Sequence, residues 1–181
     1  MMDLDRVALI GYLAAHHPAG WIGRTALMKV CYFLQVLRDV PLGYSFSLYS
    51  YGPFDSAVLS DLGTAETLGV INEAPLPTGY GYKVESAVSD DDLNELASDF
   101  LSRYRTDFDW AIREFATSPV SDLELESTIV YVDREASDAN GSLSEDELVQ
   151  QVRDVKPQFS VQKIRGHVQV LKPKGFLEAL I

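Results

Sequence analysis

The sequence predicts an α+β fold that is mostly helical and contains one small antiparallel sheet. Apolar residues recur at three- and four-residue spacing over most of the chain, which is the period of amphipathic helices. Strict alternation is confined to two short stretches, residues 44–49 and 80–84, which is the period of half-buried strands. With 181 residues, the chain is long enough for one compact domain or for two small subdomains that share a core.

The N-terminal half has the element order of a winged helix. Helical spacing begins at Asp3 and again at Thr25, and Pro41–Gly43 end the second helix because proline cannot continue the hydrogen-bond ladder. The elements that follow are a strand over 44–49, a helix over 55–68, and two strands at 70–71 and 80–84 that form a small antiparallel hairpin. We therefore expect a winged-helix-like subdomain over residues 1–88, a layout that binds either DNA or protein.

Residues 89–181 are predicted to form a helical subdomain on which the first part packs, giving one compact domain. Serines that can cap helix N-termini precede its apolar runs. Two of them belong to capping boxes, in which a glutamate three residues later bonds back to the cap. The predicted caps are Ser89, Ser121 with Glu124, Ser144 with Glu147, and Ser160.

Four short strings of the chain resemble parts of known families. They are Lys29-x-x-Tyr32-Phe33-Leu34-Gln35, Tyr49-x-Tyr51-Gly52-Pro53, Leu68-Gly69-Val70-Ile71 and Lys156-Pro157-x-Phe159-Ser160. Together they resemble the YwgA-like proteins of bacteria, and the first half is also similar to the Panacea domain of SocA-like antitoxins. The resemblance implies an antitoxin-like or regulatory protein that masks a toxin or effector. None of the strings is a catalytic signature.

Composition limits the class of partner and the compartment. The net charge of −12 argues against attraction of nucleic acid to the whole surface, although residues 151–181 hold 6 of the 15 basic and only 2 of the 27 acidic side chains. No apolar run approaches the roughly 18–20 residues that span a bilayer, so no membrane partner is expected. The single cysteine, Cys31, lies beside the apolar stripe of its helix and is interpreted as a core residue. These features predict a cytoplasmic protein.

The leading candidate site binds another protein. Tyr49 and Tyr51 fall on the strand face opposite Tyr44 and Phe46, where large amphipathic rings are typical anchors for a partner. The predicted third helix carries acidic residues and no Lys or Arg, so it is a poor reader of DNA phosphates. The candidate protein-binding residues are Tyr49, Tyr51, Pro53, Phe54, Asp55 and Asp61. A homodimer is also compatible with this surface.

A DNA-binding regulator is the alternative hypothesis. Pro157-x-Phe159-Ser160 between two helices resembles a helix-turn-helix, and basic residues follow it. The candidate nucleic-acid residues are Lys163, Arg165, His167, Lys172 and Lys174. The competing interpretation is a solvated basic face that neutralises acids elsewhere in the protein. A third hypothesis is an acidic inhibitor that mimics nucleic acid, which requires a regular surface row of Asp and Glu.

A calcium loop is a weaker possibility in residues 136–147. Asp138, Asn140, Ser142 and Glu147 match ligand positions of an EF-hand. Ala136 occupies the first position, where a carboxylate ligand is needed, so an Asn-Gly turn followed by a capping box explains the pattern better. No metal, no cofactor and no enzymatic activity are expected from the sequence.

Overall fold

The structure is a computed structural model that describes residues 3–181. Over these residues the fold is α+β and mostly helical, as the sequence predicts. The chain forms two compact units. The first runs to Ser47 and resumes over Phe54–Ser118, and the second contains Leu48–Pro53 and Pro119–Ile181.

Seven α-helices and five short strands occur within residues 3–181. In chain order they are α1 (Asp3–His16), β1 (Ile22–Gly23), α2 (Arg24–Leu37), β2 (Ser47–Tyr49), β3 (Gly52–Phe54), α3 (Ser56–Thr67), β4 (Ile71–Pro75), β5 (Tyr82–Ser86), α4 (Asp90–Phe115), α5 (Val120–Asp138), α6 (Glu145–Val155) and α7 (Val161–Leu171). A short 3-10 turn, Lys172–Lys174, follows α7. None of the helices in this part of the chain has the length and apolar character needed to cross a membrane.

Helix α1 is the centre of the first unit. Four consecutive residues, Val7 to Ile10, are fully buried, whereas the sequence predicted a single inward face. A helical segment that is apolar on every side is covered on every side, and α1 packs against α3, α4 and β5. Gly11 allows this close packing, because a Cβ at that position would lie 2.8 Å from Cγ1 of Val70.

The sheet of the first unit is antiparallel, with the strand order β1-β5-β4. Val84 of β5 lies opposite Ile22 on one side and Glu73 on the other. The β4–β5 hairpin is the predicted one, and the order of α1, β1, α2, α3, β4 and β5 matches a winged helix. Strand β1 was not predicted because two residues are too few to show alternation.

The strand predicted over 44–49 is wrong in its first half. Only Ser47–Tyr49 is a strand, and side chains take the place of a ladder before it. Gln35 bonds both the backbone N–H and the carbonyl of Tyr44 at 2.9 Å, and Asp55 accepts from the N–H of Ser45 at 2.5 Å. Three backbone groups of Tyr44 and Ser45 are therefore bonded to side chains and not to a neighbouring strand.

The division between the units differs from the predicted one at residues 88 and 89. Helix α4 belongs to the first unit because its apolar face packs on α1. Its Phe108 is fully buried with its ring 5.6 Å from that of Tyr12, whose hydroxyl donates to Asp109 at 2.7 Å. Helix α4 is kinked at Ala97, where φ is −152° and ψ is 51°. The second unit therefore resumes only at Pro119.

The second unit is built on α5, α6 and α7, which pack against one another. Its C-terminal segment is held by a fully buried carboxylate on α5. Asp133 accepts the backbone N–H groups of Glu178 at 2.6 Å and of Ala179 and Leu180 at 3.1 Å each. A single charged side chain thereby satisfies the backbone N–H groups of three residues that form no helix.

Three of the four predicted helix caps are confirmed, and one is wrong. Ser89 and Ser144 form full capping boxes, and Ser160 accepts from the N–H of Lys163. The box predicted at Ser121 does not form, because α5 already begins at Val120 behind Pro119. This leaves the Glu124 carboxylate for a different partner.

Candidate protein-binding site

The turn between β2 and β3 presents two exposed tyrosines. Tyr49 is 67% and Tyr51 is 69% exposed, although both are large aromatic residues. The turn, Leu48–Pro53, belongs to the second unit. We call Leu48–Pro53 the tyrosine turn.

A buried lysine holds the tyrosine turn through its backbone. Lys156 is 2% exposed, and its Nζ donates to the carbonyl oxygens of Tyr49, at 3.4 Å, and of Ser50. The same Nζ forms an ion pair with Oε1 of Glu124 at 2.9 Å. Gln158 donates to that carboxylate oxygen at 3.0 Å. The buried ammonium is thus compensated by a carboxylate and by backbone carbonyls, as burial of a charge requires.

Gly52 brings the tyrosine turn against α5. Its φ of +90° lies in a region that residues with a side chain rarely adopt. A Cβ at this position would lie 3.1 Å from Oγ of Ser127 and 3.3 Å from the backbone oxygen of Glu124. Glycine is therefore required here both by the backbone conformation and by the close approach.

Two of the predicted protein-binding residues are buried, which corrects those assignments. Asp61 is 4% exposed, because Nε of Arg6 pairs with it at 3.0 Å and the hydroxyl of Tyr44 donates to it at 2.8 Å. Pro53 is also buried, at the inner end of the tyrosine turn. Neither side chain can provide an anchor for a partner.

The side chains of Phe54 and Asp55 are less exposed to solvent than those of the two tyrosines. Asp55 caps α3, where its carboxylate accepts the N–H of Ala57 at 2.8 Å in addition to that of Ser45. Phe54 is half-buried and lies in the first unit. The candidate surface therefore contracts to Tyr49 and Tyr51.

The interior of the first unit also explains Cys31. Burial, and then the nearby Asp61 carboxylate, raise the pKa of the thiol to about 12. The side chain is fully buried and reduced, so the interpretation of Cys31 as a core residue is confirmed. A thiol that stays protonated in an apolar environment is a poor nucleophile.

The candidate DNA-binding groups of α7 are ion-paired with acids of the same unit. Lys163 contacts Asp122 at 2.7 Å, and Nδ1 of His167 lies 2.9 Å from Glu126. Arg165 binds two carboxylates, Glu145 at 2.8 Å and Asp146 at 2.7 Å. This is the arrangement expected of a basic face that neutralises acids, so phosphates would have to compete with these pairs.

The two remaining basic candidates lie in the 3-10 turn after α7. Lys172 and Lys174 are exposed, and the Lys174 ammonium lies 5.8 Å from the centroid of the Phe176 ring. Two exposed lysines are a small electrostatic footprint for a duplex. On α3, which the layout would place in a groove of DNA, no Lys or Arg is present and Glu66 is exposed.

The calcium alternative loses its strongest ligand to a helix cap. Oε2 of Glu147 accepts from the N–H of Ser144 at 2.8 Å and from its hydroxyl at 2.7 Å. Asp138 ends α5, Asn140 adopts a left-handed φ of 56°, and Ser142 is exposed. In the described part of the chain, no group of three or more His, Cys, Asp or Glu is placed to hold a metal ion.

The site contains residues that sequence reasoning did not assign to it. Glu124 was interpreted as a helix cap, and Lys156 was noted only within a family-like string. These two residues are 32 positions apart, and no local period links them. The one available signal was the pairing of a Tyr-Gly-Pro string with a Lys-Pro string, which the structure joins through the bond from Lys156 to the tyrosine turn.

Comparison with known proteins gives no family for this chain. A scan against protein-family models found no match, and a search of the curated proteins found none either. The resemblance to YwgA-like and Panacea-domain proteins therefore stays a prediction that rests on the four strings.

Proposed function

We propose that this protein is a non-enzymatic protein-binding module, antitoxin-like or regulatory, that masks a toxin or effector in the cytoplasm. Tyr49 and Tyr51 are the anchors that contact the partner. The observation that carries the proposal is the tyrosine turn itself, in which two exposed aromatic residues stand on a backbone fixed by a buried ion pair.

The physical reason is the low cost of ordering such a turn on binding. Tyrosine supplies a large contact area with few rotatable bonds, and aromatic anchors dominate the energetics of many interfaces. A loop that is already fixed loses less conformational entropy when a partner binds. Lys156 and Gly52 fix the backbone, so mainly the rings remain to be ordered.

The state of the nucleophilic and basic side chains supports a binding role without chemistry. The Cys31 thiol has a raised pKa, and burial lowers the pKa of His17, whose Nε2 lies 3.0 Å from the carbonyl of Ala116. His16 lies 3.2 Å from Asp90, and His167 contacts Glu126. These groups serve packing and ion pairing within their own units.

Affinity capture from the native host tests the proposal. The full chain, tagged and expressed at native level, should co-purify with a specific protein, and Tyr49→Ala combined with Tyr51→Ala should abolish that capture. Tyr80→Ala is the matched control, because Tyr80 is 86% exposed but lies on the β4–β5 loop. Capture that is unaffected by the double substitution, or lost equally in the control, contradicts the proposal.

A further inference from the structure

A groove of about 550 Å³ lies in the second unit beside the tyrosine turn. Its apolar lining includes Leu48, which directly precedes Tyr49, together with Val132 of α5 and Val155 of α6. Val155 is 46% exposed, so its side chain is accessible to a ligand in the groove. The volume lies within the range of about 300–1,000 Å³ that is typical of ligand pockets in proteins.

Two carboxylates line the same groove. Glu135 and Asp154 are exposed, and neither forms an ion pair with any residue in 3–181. Asp154 accepts a hydrogen bond from the amide of Gln150 at 2.7 Å. The groove thus combines an apolar lining with negative charge that the described residues leave uncompensated.

The neighbouring cations in sequence are engaged elsewhere. Arg134 pairs with Asp133 at 3.0 Å and with Glu178 at 3.2 Å. Arg153 donates to the backbone carbonyls of Pro157 and Phe159. Each of the two carboxylates thus has an arginine as its neighbour in sequence, but both arginines bind other acceptors.

Helix dipoles add to the negative potential of the groove. Glu135 lies in the last turn of α5, and Asp154 is the penultimate residue of α6. The C-terminal end of a helix carries partial negative charge, and a cation is the favourable neighbour there. Each of the two carboxylates lies at the C-terminal end of a helix. A cation from another molecule would therefore be bound favourably in the groove.

We propose, on the basis of the proposed function, that this groove binds a peptide segment of the partner protein in which one Lys or Arg is flanked by aliphatic residues. The aliphatic side chains pack on Leu48, Val132 and Val155. The cation is bound by Glu135 and Asp154, while Tyr49 and Tyr51 contact the partner next to the groove. An apolar centre with a polar, solvent-accessible rim is the usual anatomy of a specific protein interface.

Short synthetic peptides test this recognition directly on the full chain. Four fluorescein-labelled peptides of the form Gly-Ser-Leu-X-Leu-Ser-Gly, with X as Arg, Lys, Gln or Glu, are titrated by fluorescence anisotropy. The Arg and Lys peptides should bind more tightly than the Gln peptide, and the Glu peptide should bind least. The preference should weaken as ionic strength rises, because exposed ion pairs are screened by salt.

Neutralising the groove provides the second arm. Glu135→Gln combined with Asp154→Asn should weaken the Arg peptide about tenfold, the sum for two exposed ion pairs, and leave the Gln peptide unchanged. The matched control is Glu95→Gln with Asp99→Asn, which removes two exposed carboxylates four residues apart on α4 of the first unit. The control should bind the Arg peptide like the wild type.

Three results overturn the proposal. The first is equal binding of the Arg, Gln and Glu peptides, or no binding of any of them at about 1 mM. The second is an equal loss in the groove and control variants. The third is concentration-dependent self-association that the groove substitutions abolish, since the occupant would then be a second copy of this chain.

The peptide-binding proposal for the groove and the proposed function can be contradicted independently of each other. If Tyr49→Ala with Tyr51→Ala abolishes capture from the host while the groove substitutions leave it intact, the groove proposal is overturned and the binding function stands. If the groove substitutions alone reduce capture, the tyrosines are not the anchors and the proposed function is wrong in its residues.

Discussion

Two turns of this protein present exposed tyrosines, and they are built in opposite ways. The tyrosine turn of the second unit is fixed by the buried Lys156 and by a glycine that touches α5. The loop that carries Tyr80, in the first unit, is closed by backbone bonds between Leu76 and Gly81, at 3.0 Å, and between Gly79 and Leu76, at 2.9 Å. Tyr80 is 86% exposed, which is more than either Tyr49 or Tyr51. Exposure is therefore common to both turns, and what differs between them is the side-chain anchoring of the backbone.

The anchor of the tyrosine turn uses a costly group. A buried ion pair contributes little net stability compared with an apolar replacement, because both charges must leave water. The Lys156–Glu124 pair instead fixes the backbone of the tyrosine turn, because the Lys156 ammonium also donates to two carbonyl oxygens of that turn. We therefore expect that substitutions of the residues that hold the tyrosine turn destabilise the protein more than comparable substitutions in the loop that carries Tyr80.

The largest expected effect is that of Lys156→Met. Among the described residues, the buried Glu124 carboxylate would keep only the Gln158 amide as a partner, so the free energy of unfolding should fall by about 3–5 kcal/mol in urea titrations. Lys163→Met is the control, because it breaks the partly exposed pair with Asp122 and should cost at most about 1 kcal/mol. A loss below that of the control would contradict the anchoring role of Lys156.

Asp133→Asn should be the next most damaging change. The variant loses the charge that binds three backbone N–H groups of residues 178–180, and we expect a loss of about 2–4 kcal/mol. Hydrogen exchange at those amides should accelerate at the same time. Asp138→Asn, an exposed position on the same helix, should stay within about 0.5 kcal/mol of the wild type. Unchanged exchange at residues 178–180 would show that another contact holds the segment.

A glycine pair compares the two turns directly. Gly52→Ala should cost about 2–3 kcal/mol, because it combines a strained backbone with contacts of 3.1–3.3 Å. Gly79→Ala also has a positive φ, of +78°, but meets open space, so about 1 kcal/mol is expected. Thermal unfolding of the two variants measures the difference. Equal losses would mean that the close approach to α5 contributes nothing.

The smallest effect concerns a feature that both units share. Hydrogen bonds from Ser144 hold the pKa of Glu147 below its ordinary value of 4.5, and bonds from Ser89 lower the pKa of Asp92 in the same way. Stabilisation by such a carboxylate is complete above the ordinary value and is lost as the pH falls through the lowered pKa. The stability difference between wild type and Glu147→Gln should therefore be constant at neutral pH and shrink in acid. A stability difference that grows as the pH falls would contradict the lowered pKa of Glu147.

Local patterns predicted the helices and most of their caps because both depend on neighbouring residues. The period of the apolar positions located α1 to α3, and Ser144 with Glu147 identified a true capping box. The errors concern residues whose role is set at long range. Asp61 was expected at the surface because a lone carboxylate on a helix usually is exposed, and its partner Arg6 lies 55 positions away.

The candidate site was only partly predictable for the same reason. Alternation placed Tyr49 and Tyr51 on the outer face of a strand, and both are exposed. Nothing local indicates that Lys156 would reach the carbonyls of a turn more than 100 residues earlier, or that Glu124 would pair with it instead of capping α5. Buried charges that hold an irregular segment are a tertiary feature without a sequence period.

Site-specific photo-crosslinking in the native host tests most directly whether the anchored turn is the binding surface. p-Benzoyl-phenylalanine is placed at Tyr51 in one strain and at Tyr80 in another, because both side chains are exposed. We predict one discrete cross-linked protein from position 51 and none from position 80. No adduct at position 51, or the same adducts from both positions, would contradict the assignment of the tyrosine turn as the interface.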